Sequence, residues 1–224
     1  PHLLEDVAMV YTLVEKHAVW PTSLIKACIT LIEKVRGQTK PLGMRPIMVL
    51  SAWYRLWGAA RYAATASWQE QWVPTESYAS RSKKSAVDLA LKVAQDQERA
   101  RAEGKWSGGI SLDLEKAFDN INREVMEEVL EERELMPQVE RGIRAMYRQL
   151  EARFALGGLL SEGDHIDFKR GVVQGDCNSM IILNATFAVC IEVINAEVAP
   201  RHPAVRIVPR TYADDIAIFA EAED

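Results

Sequence analysis

Apolar residues recur at helical spacing in the first segment, where Leu3, Val7, Val10 and Val14 share one face and Pro21 stops the pattern. Cys28 to Ile32 is apolar and partly β-branched and fits a strand or a helix end, with the strand favoured. Gln38 to Gly43, with Pro41 and Gly43, is a polar turn segment. Ile47 to Leu50 is short, apolar and extended. Trp53 to Trp72, rich in Ala, Trp and Arg, predicts a helix packed on one side. Ser85 to Ala102 predicts a second, with Val87, Leu91 and Ala94 toward the core, and Gly104 to Gly109 breaks it.

The second half changes rhythm. Ile110 to Leu114 alternates as a strand. Asn120 to Glu134 predicts an amphipathic helix with Ile121, Val125, Val129 and Leu130 inward. Pro137 starts another helix running to about Leu150. Phe154 to Asp167, with glycines at 157, 158 and 163, fits a β-hairpin, and Met180 to Val198 is helical. Ile207-Val208 and Ile216 to Phe219 flank Tyr212 to Asp215 as strand, turn, strand. An α-rich half followed by a β-α-α-ββ-α-ββ half predicts an α+β fold, with helices on one face of a small antiparallel sheet. The change of rhythm divides the chain into residues 1–109 and 110–224.

A chain of 224 residues buries a real core, as one domain or two intimate subdomains. Its 48% hydrophobic and 26% charged residues exclude a disordered protein. The greasy stretch from Met180 to Ile194 is broken by Asn184 and Glu192 and is too short to span a bilayer, which predicts a buried helix and no membrane partner. Cys28, Cys177 and Cys190 form no CxxC pair, so a reduced intracellular setting without structural zinc is expected; nucleus and cytoplasm are not distinguished. The chain opens on Pro1, shows no signal-peptide pattern and stops just past an Asp-Asp pair, which reads as a fragment of something longer. The net charge of −5 argues against tight autonomous grip on a phosphate backbone.

Three places carry candidate chemistry. Asp113 ends a predicted strand, and Asp214-Asp215 sit on a tight turn; brought together, such carboxylates are hard oxygen donors for Mg²⁺. Two ions held there activate a hydroxyl and stabilise a leaving pyrophosphate. Arg170 to Ser179 has two glycines four apart ahead of a helix, so its backbone can approach a flat ligand closely while Gln174 hydrogen-bonds a base or sugar. Lys34, Lys40, Arg45 and Arg55 are a basic group suited to a triphosphate. Arg81, Lys83 and Lys84 form a second cluster, equally suited to solvent or to a nucleic-acid backbone.

Asp113 to Asp119 ("DLEKAFD"), Arg170 to Ser179 ("RGVVQGDCNS") and Tyr212 to Asp215 ("YADD") resemble the three palm motifs of reverse transcriptases. Arg45 to Arg55 ("RPIMVLSAWYR") and Tyr78 to Asp88 ("YASRSKKSAVD") resemble the fingers motifs in the same order, nearest to the non-LTR retrotransposon and group II intron types. The resemblance spans roughly residues 26 to 220. It implies a polymerase palm, a ferredoxin-like antiparallel sheet with helices on one face, beside mostly helical fingers. It implies RNA-templated DNA synthesis from dNTPs onto a DNA primer, with two Mg²⁺ ions, or Mn²⁺ in their place.

The same resemblance assigns roles. Asp113, Asp214 and Asp215 would be the catalytic acids, with the Leu114 carbonyl as a further metal ligand. Phe118 would be the steric gate against a ribose 2′-hydroxyl. Gln174 and Gly175 would line the nascent base pair, and Arg45 and Arg55 would approach the triphosphate. Tyr212 would lie near the primer terminus, with Arg81 and Lys84 on the primer–template. Cys177-Asn178 and Ser179-Met180 stand where the family usually has prolines. The family's thumb, and in some members an endonuclease, would lie outside this segment. A catalytically inactive remnant that only binds nucleic acid or a partner is the alternative. An RNA-templated RNA polymerase is a further one, opposed by Phe118.

Overall fold

In chain order the elements of the computed structural model are α1 (His2–His17), β1 (Lys26–Glu33), β2 (Met44–Val49), α2 (Ala52–Trp72) and α3 (Ala86–Ala102). Then come β3 (Trp106–Asp113), α4 (Ala117–Asn120), α5 (Arg123–Glu132), α6 (Pro137–Gln149), β4 (Glu151–Leu156) and β5 (Leu159–Leu160). α7 (Ser179–Val193), β6 (Val205–Tyr212) and β7 (Asp215–Ala222) close the series. The structure describes residues 2–37, 40, 43–156, 159–162, 165–166 and 168–223.

Local chemistry accounts for the helix boundaries. The Ser85 side chain accepts from Asp88 N and caps α3. The Asn122 side chain accepts from Glu124 N and caps α5, which therefore starts later than Asn120. α5 buries Met126, Val129 and Leu130 and leaves Val125 exposed, a rotation of the expected inward face. Pro137 opens α6, where its missing N–H is no loss, and Val139, Ile143, Met146 and Tyr147 form the buried stripe.

The chain divides into two compact units, each assembled from two segments, which differs from a single cut after residue 109. Pro1–Thr65 with Asp119–Ser179 form the first; Ala66–Phe118 with Met180–Asp224 form the second.

The first unit is built on a four-stranded sheet in the order β2-β1-β4-β5. β1 pairs antiparallel with β2 (Cys28↔Val49 to Glu33↔Met44) and parallel with β4 (Lys26↔Glu151 to Ile29↔Phe154). The sheet joins two early strands, β1 and β2, to β4 and β5, while α1, α2 and α3 keep the early region mostly helical, as expected. β4 and β5 form the expected hairpin over Ala155↔Leu160 and Leu156↔Leu159, and an antiparallel bridge at Ala152↔Ile166 continues it; Gly157, Gly158, Gly163 and Asp167 lie outside the described residues. An aromatic group packs α1, α2 and α6. The Trp20 ring lies 5.4 Å from Tyr54 and 5.5 Å from Trp57, and its Nε1 donates to Gly142 O at 2.9 Å. A Cβ on Gly142 would stand 2.4 Å from the Trp57 ring, so glycine is what lets the indole in. Buried Glu15 of α1 accepts from Trp57 Nε1 (2.8 Å) and from Arg61 Nε and Nη2 (2.6 and 2.9 Å), bolting α1 to α2.

The second unit has a three-stranded antiparallel sheet, β3-β7-β6. α3 meets it through charge rather than grease. Val87, Leu91 and Ala94, the expected core residues, are exposed, while Asp96 and Ala100 are buried. Asp96 (1% exposed) pairs with Arg210 of β6 (3% exposed), and Arg99 pairs with Glu221 of β7 at 3.0 Å. Every residue of β3 is exposed, Trp106 at 71%, and among the described residues β3 pairs with β7 alone. α7 runs on through a π-helical turn (Ile194–Val198) and a 3₁₀ turn (Ala199–Arg201). That 23-residue run is long and apolar enough to cross a membrane, longer than expected; its most apolar 18-residue window has mean hydropathy 1.7 and is half buried, with Ile181, Leu183, Ala188 and Ile191 in the core.

Candidate active site

Tyr212 ends β6 and Asp215 begins β7, and the two pair directly. Ala213 and Asp214 alone make the turn. Ala213 takes φ +54°, the left-handed region that an L-side chain enters at a cost. Across the other edge of β7, Asp113 at the end of β3 stands in register with Asp215. Residues directly opposite in an antiparallel pair have Cβ atoms about 4.5–5.5 Å apart, and like charges so placed repel. Asp113 and Asp215 are exposed; Asp214 and Tyr212 are half-buried. Folding therefore brings the three predicted acids to one end of the sheet. Among the described residues no three His, Cys, Asp or Glu side chains are grouped as a metal site. The donor chemistry nevertheless suits a hard cation: the acids at this edge are carboxylates, and a cation would relieve their mutual repulsion. Leu114 follows directly, half-buried, and Phe118 lies half-buried in α4.

Arg45, Arg55, Gln174 and Gly175, the other residues expected at a nucleotide, belong to the first unit. Gln174 O accepts from Met48 N at 3.1 Å, which lays the glycine loop along β2. Gly175 adopts φ +118°, and a Cβ there would stand 2.5 Å from Met48 O, so no other residue fits without displacing the strand. Arg45 is exposed on β2 and Arg55 is exposed early in α2. A cavity of about 540 Å³ opens beside the loop, with Pro46, Met48, Phe154, Phe168 and Gln174 in its wall.

Arg81 and Lys84 are engaged within their own loop. Arg81 donates to both oxygens of Glu70 and to the carbonyls of Pro74 (2.8 Å) and Ser77 (3.1 Å). Lys84 donates to Thr75 O and Ser77 O and stands 4.7 Å from the Tyr78 ring centroid. Both side chains brace the turn between α2 and α3.

A buried polar network under the glycine loop has little signature in the sequence. Asp176 is 5% exposed. Its Oδ2 accepts from Tyr54 Oη (3.2 Å) and Tyr147 Oη (3.5 Å), and its Oδ1 from Asn178 N (3.2 Å). Tyr147 Oη also accepts from Val173 N at 3.1 Å. Arg123 lies 5.0 Å from the Tyr147 ring centroid and donates to the carbonyls of Gly171 (2.9 Å), Tyr147 (2.8 Å) and Phe168. Burial raises the Asp176 carboxyl above the usual carboxylate range. Burial, then the Asp176 charge, holds Tyr54 and Tyr147 well above the usual phenol value and pushes the Cys177 thiol to about 12. The only sequence signal for this network is an acid beside Gln174-Gly175, with no hint of the two tyrosines that hold it.

Residues 33–224 match the family described as "Reverse transcriptase (RNA-dependent DNA polymerase)". The chain belongs to that family, and its fold is the α+β arrangement expected. No curated protein sequence matches it significantly. Among solved structures, apo telomerase from Candida tropicalis, truncated from its C-terminal domain, superposes with a TM-score of 0.65 at 12% identity, over 97% of this chain and 48% of that one. Telomerase from the same organism in complex with the TWJ fragment of telomeric RNA gives 0.63 at 12% identity, over 99% and 40%. The chain thus spans less than half the length of both, and at that identity the likeness is one of fold.

Proposed function

We propose that this chain carries out RNA-templated DNA synthesis, adding deoxynucleotides from dNTPs to the 3′-hydroxyl of a DNA primer. Asp113, Asp214 and Asp215, with the Leu114 carbonyl, hold two Mg²⁺ ions, or Mn²⁺ in their place. Bound there, such ions lower the pKa of the primer hydroxyl and offset charge on the pyrophosphate. Phe118 stands against a ribose 2′-hydroxyl, Arg45 and Arg55 bind the triphosphate, and Gln174 and Gly175 line the nascent base pair. Tyr212 lies near the primer end, and Arg81 and Lys84 act on the primer–template through the loop they brace. The setting is the interior of the cell, as part of a retroelement polyprotein of non-LTR or group II intron type that also carries a thumb, with or without an endonuclease.

The observation that supports this most is the register of Asp113 with Asp215, with Asp214 in the adjoining turn, in a reverse transcriptase family member. Primer extension on an RNA template tests it. Asp113→Ala is expected to cut dNTP incorporation by about 10²–10³-fold or more, with the melting temperature held, and rNTPs to be poor substrates for the unaltered chain. An Asp113→Ala chain that extends primers at the original rate refutes the assignment. No extension by the unaltered chain points instead to a non-catalytic nucleic-acid-binding domain.

A further inference from the structure

Gln174 and Gly175 occupy a two-residue loop, and a single phenol oxygen fastens both of its ends. Tyr147 Oη accepts from Val173 N, just before the pair, and donates to Asp176 Oδ2, just after it. Tyr54 Oη donates to that same carboxylate oxygen. All three side chains are buried, so the bonds are shielded from water. Asp176 in turn steadies the entry to α7: its Oδ1 accepts from Asn178 N, and its carbonyl accepts from Ser179 Oγ at 2.7 Å. Tyr147 is itself contacted by the Arg123 guanidinium, 5.0 Å from its ring centroid, which donates to Tyr147 O and also to Gly171 O and Phe168 O on the backbone leading into the loop.

We infer that Tyr147 and Asp176, with Tyr54, are positioning residues that fix the Gln174–Gly175 loop and thereby set the affinity for the incoming nucleotide. The clamp on the loop follows from the hydrogen bonds alone; its effect on nucleotide affinity rests on the polymerase assignment above. Tyr147→Phe is the sharpest probe, because the ring and its contact with Arg123 remain while both loop bonds go. Asp176→Ala supplies the same comparison from the other partner. Asp176→Asn keeps an amide oxygen for the tyrosine hydroxyls while giving up the acceptor for Asn178 N, and serves as the conservative rescue of the tyrosine bonds. Tyr11→Phe deletes a part-buried phenol bond, to Trp53 O at 2.8 Å, away from the loop.

Two readouts on the full chain separate the claims. Amide hydrogen exchange over residues 174–176 reports the loop without any catalysis. It is expected to quicken about three- to tenfold in Tyr147→Phe and Asp176→Ala, the weight of one net hydrogen bond. Asp176→Asn and Tyr11→Phe should stay near the original rate. In primer extension the KM for dNTP is expected to rise by a similar factor in the same two variants, with kcat within about twofold. Unchanged exchange in Tyr147→Phe, or the same change in Tyr11→Phe, overturns the clamp. Quickened exchange with an unmoved KM overturns the link to nucleotide affinity. If the unaltered chain extends no primer, the polymerase assignment and that link fall together, and exchange still decides whether the loop is clamped.

Discussion

Truncating Asp96 to alanine strands the Arg210 guanidinium in a protein interior. Arg210 is 3% exposed, and among the described residues its ion-pair partner is Asp96. Removing one member of a buried pair costs about 3–5 kcal/mol, because the charge left behind is neither hydrated nor paired. The reverse change is milder. Asp96 also faces Arg99 at 3.3 Å and Lys92 at 3.9 Å, so Arg210→Met leaves the carboxylate compensated and should cost only about 1–3 kcal/mol. The double variant Asp96→Leu, Arg210→Met removes both charges and should recover most of the loss, since apolar replacements of whole buried pairs are often neutral. Urea denaturation followed by circular dichroism measures all three. With a slope of about 2 kcal/mol/M, the midpoint of Asp96→Ala should fall by about 1.5–2.5 M, and the double variant should lie well above it. Equal losses from the two single changes, or a double variant at the sum of both, refutes the view of Asp96 as the essential partner.

The raised carboxyl of Asp176 gives a pH dependence. The folded state binds its proton more tightly than the unfolded chain does, so this group's contribution declines as pH rises from about 4 through the folded value. Asp176→Asn lacks that decline, and its stability relative to the parent should therefore improve from acid to neutral pH; a difference that stays flat across urea titrations at those pH values counters it. Ala213→Gly relieves a left-handed alanine worth about 1–2 kcal/mol, less the roughly 0.4–1 kcal/mol of extra freedom glycine has when unfolded. A melting temperature higher by about 2–4 °C is expected in calorimetry, and a fall would show that the turn holds no strain.

Elements with a strong local signature were legible in the sequence. α6 is bounded by Pro137 and patterned by Val139, Ile143 and Met146, and the Tyr212–Asp215 turn is framed by β-branched runs on both sides. What failed depended on partners distant in the chain. Val87 and Leu91 look like the inner face of α3, yet Asp96 is buried because Arg210 waits on β6. β1 looks like an isolated strand until β4 arrives parallel to it. At the candidate site the residue types were visible, and their meeting was expected from the resemblance of the motifs and not from local pattern: strand order sets Asp113 beside Asp215. Asp176 was visible too, while the phenols that surround it come from α2 and α6.

The interleaving of the two units bears on how the protein is made. A ribosome releases β1 long before β4 exists, so Lys26 must wait for Glu151 before its sheet can close. Neither unit has all its parts until the chain has passed Ser179 or come to its last strand. While these 224 residues are being made the nascent polypeptide therefore carries half-finished sheets, the condition under which chaperones are most needed and newly made chains most readily go astray.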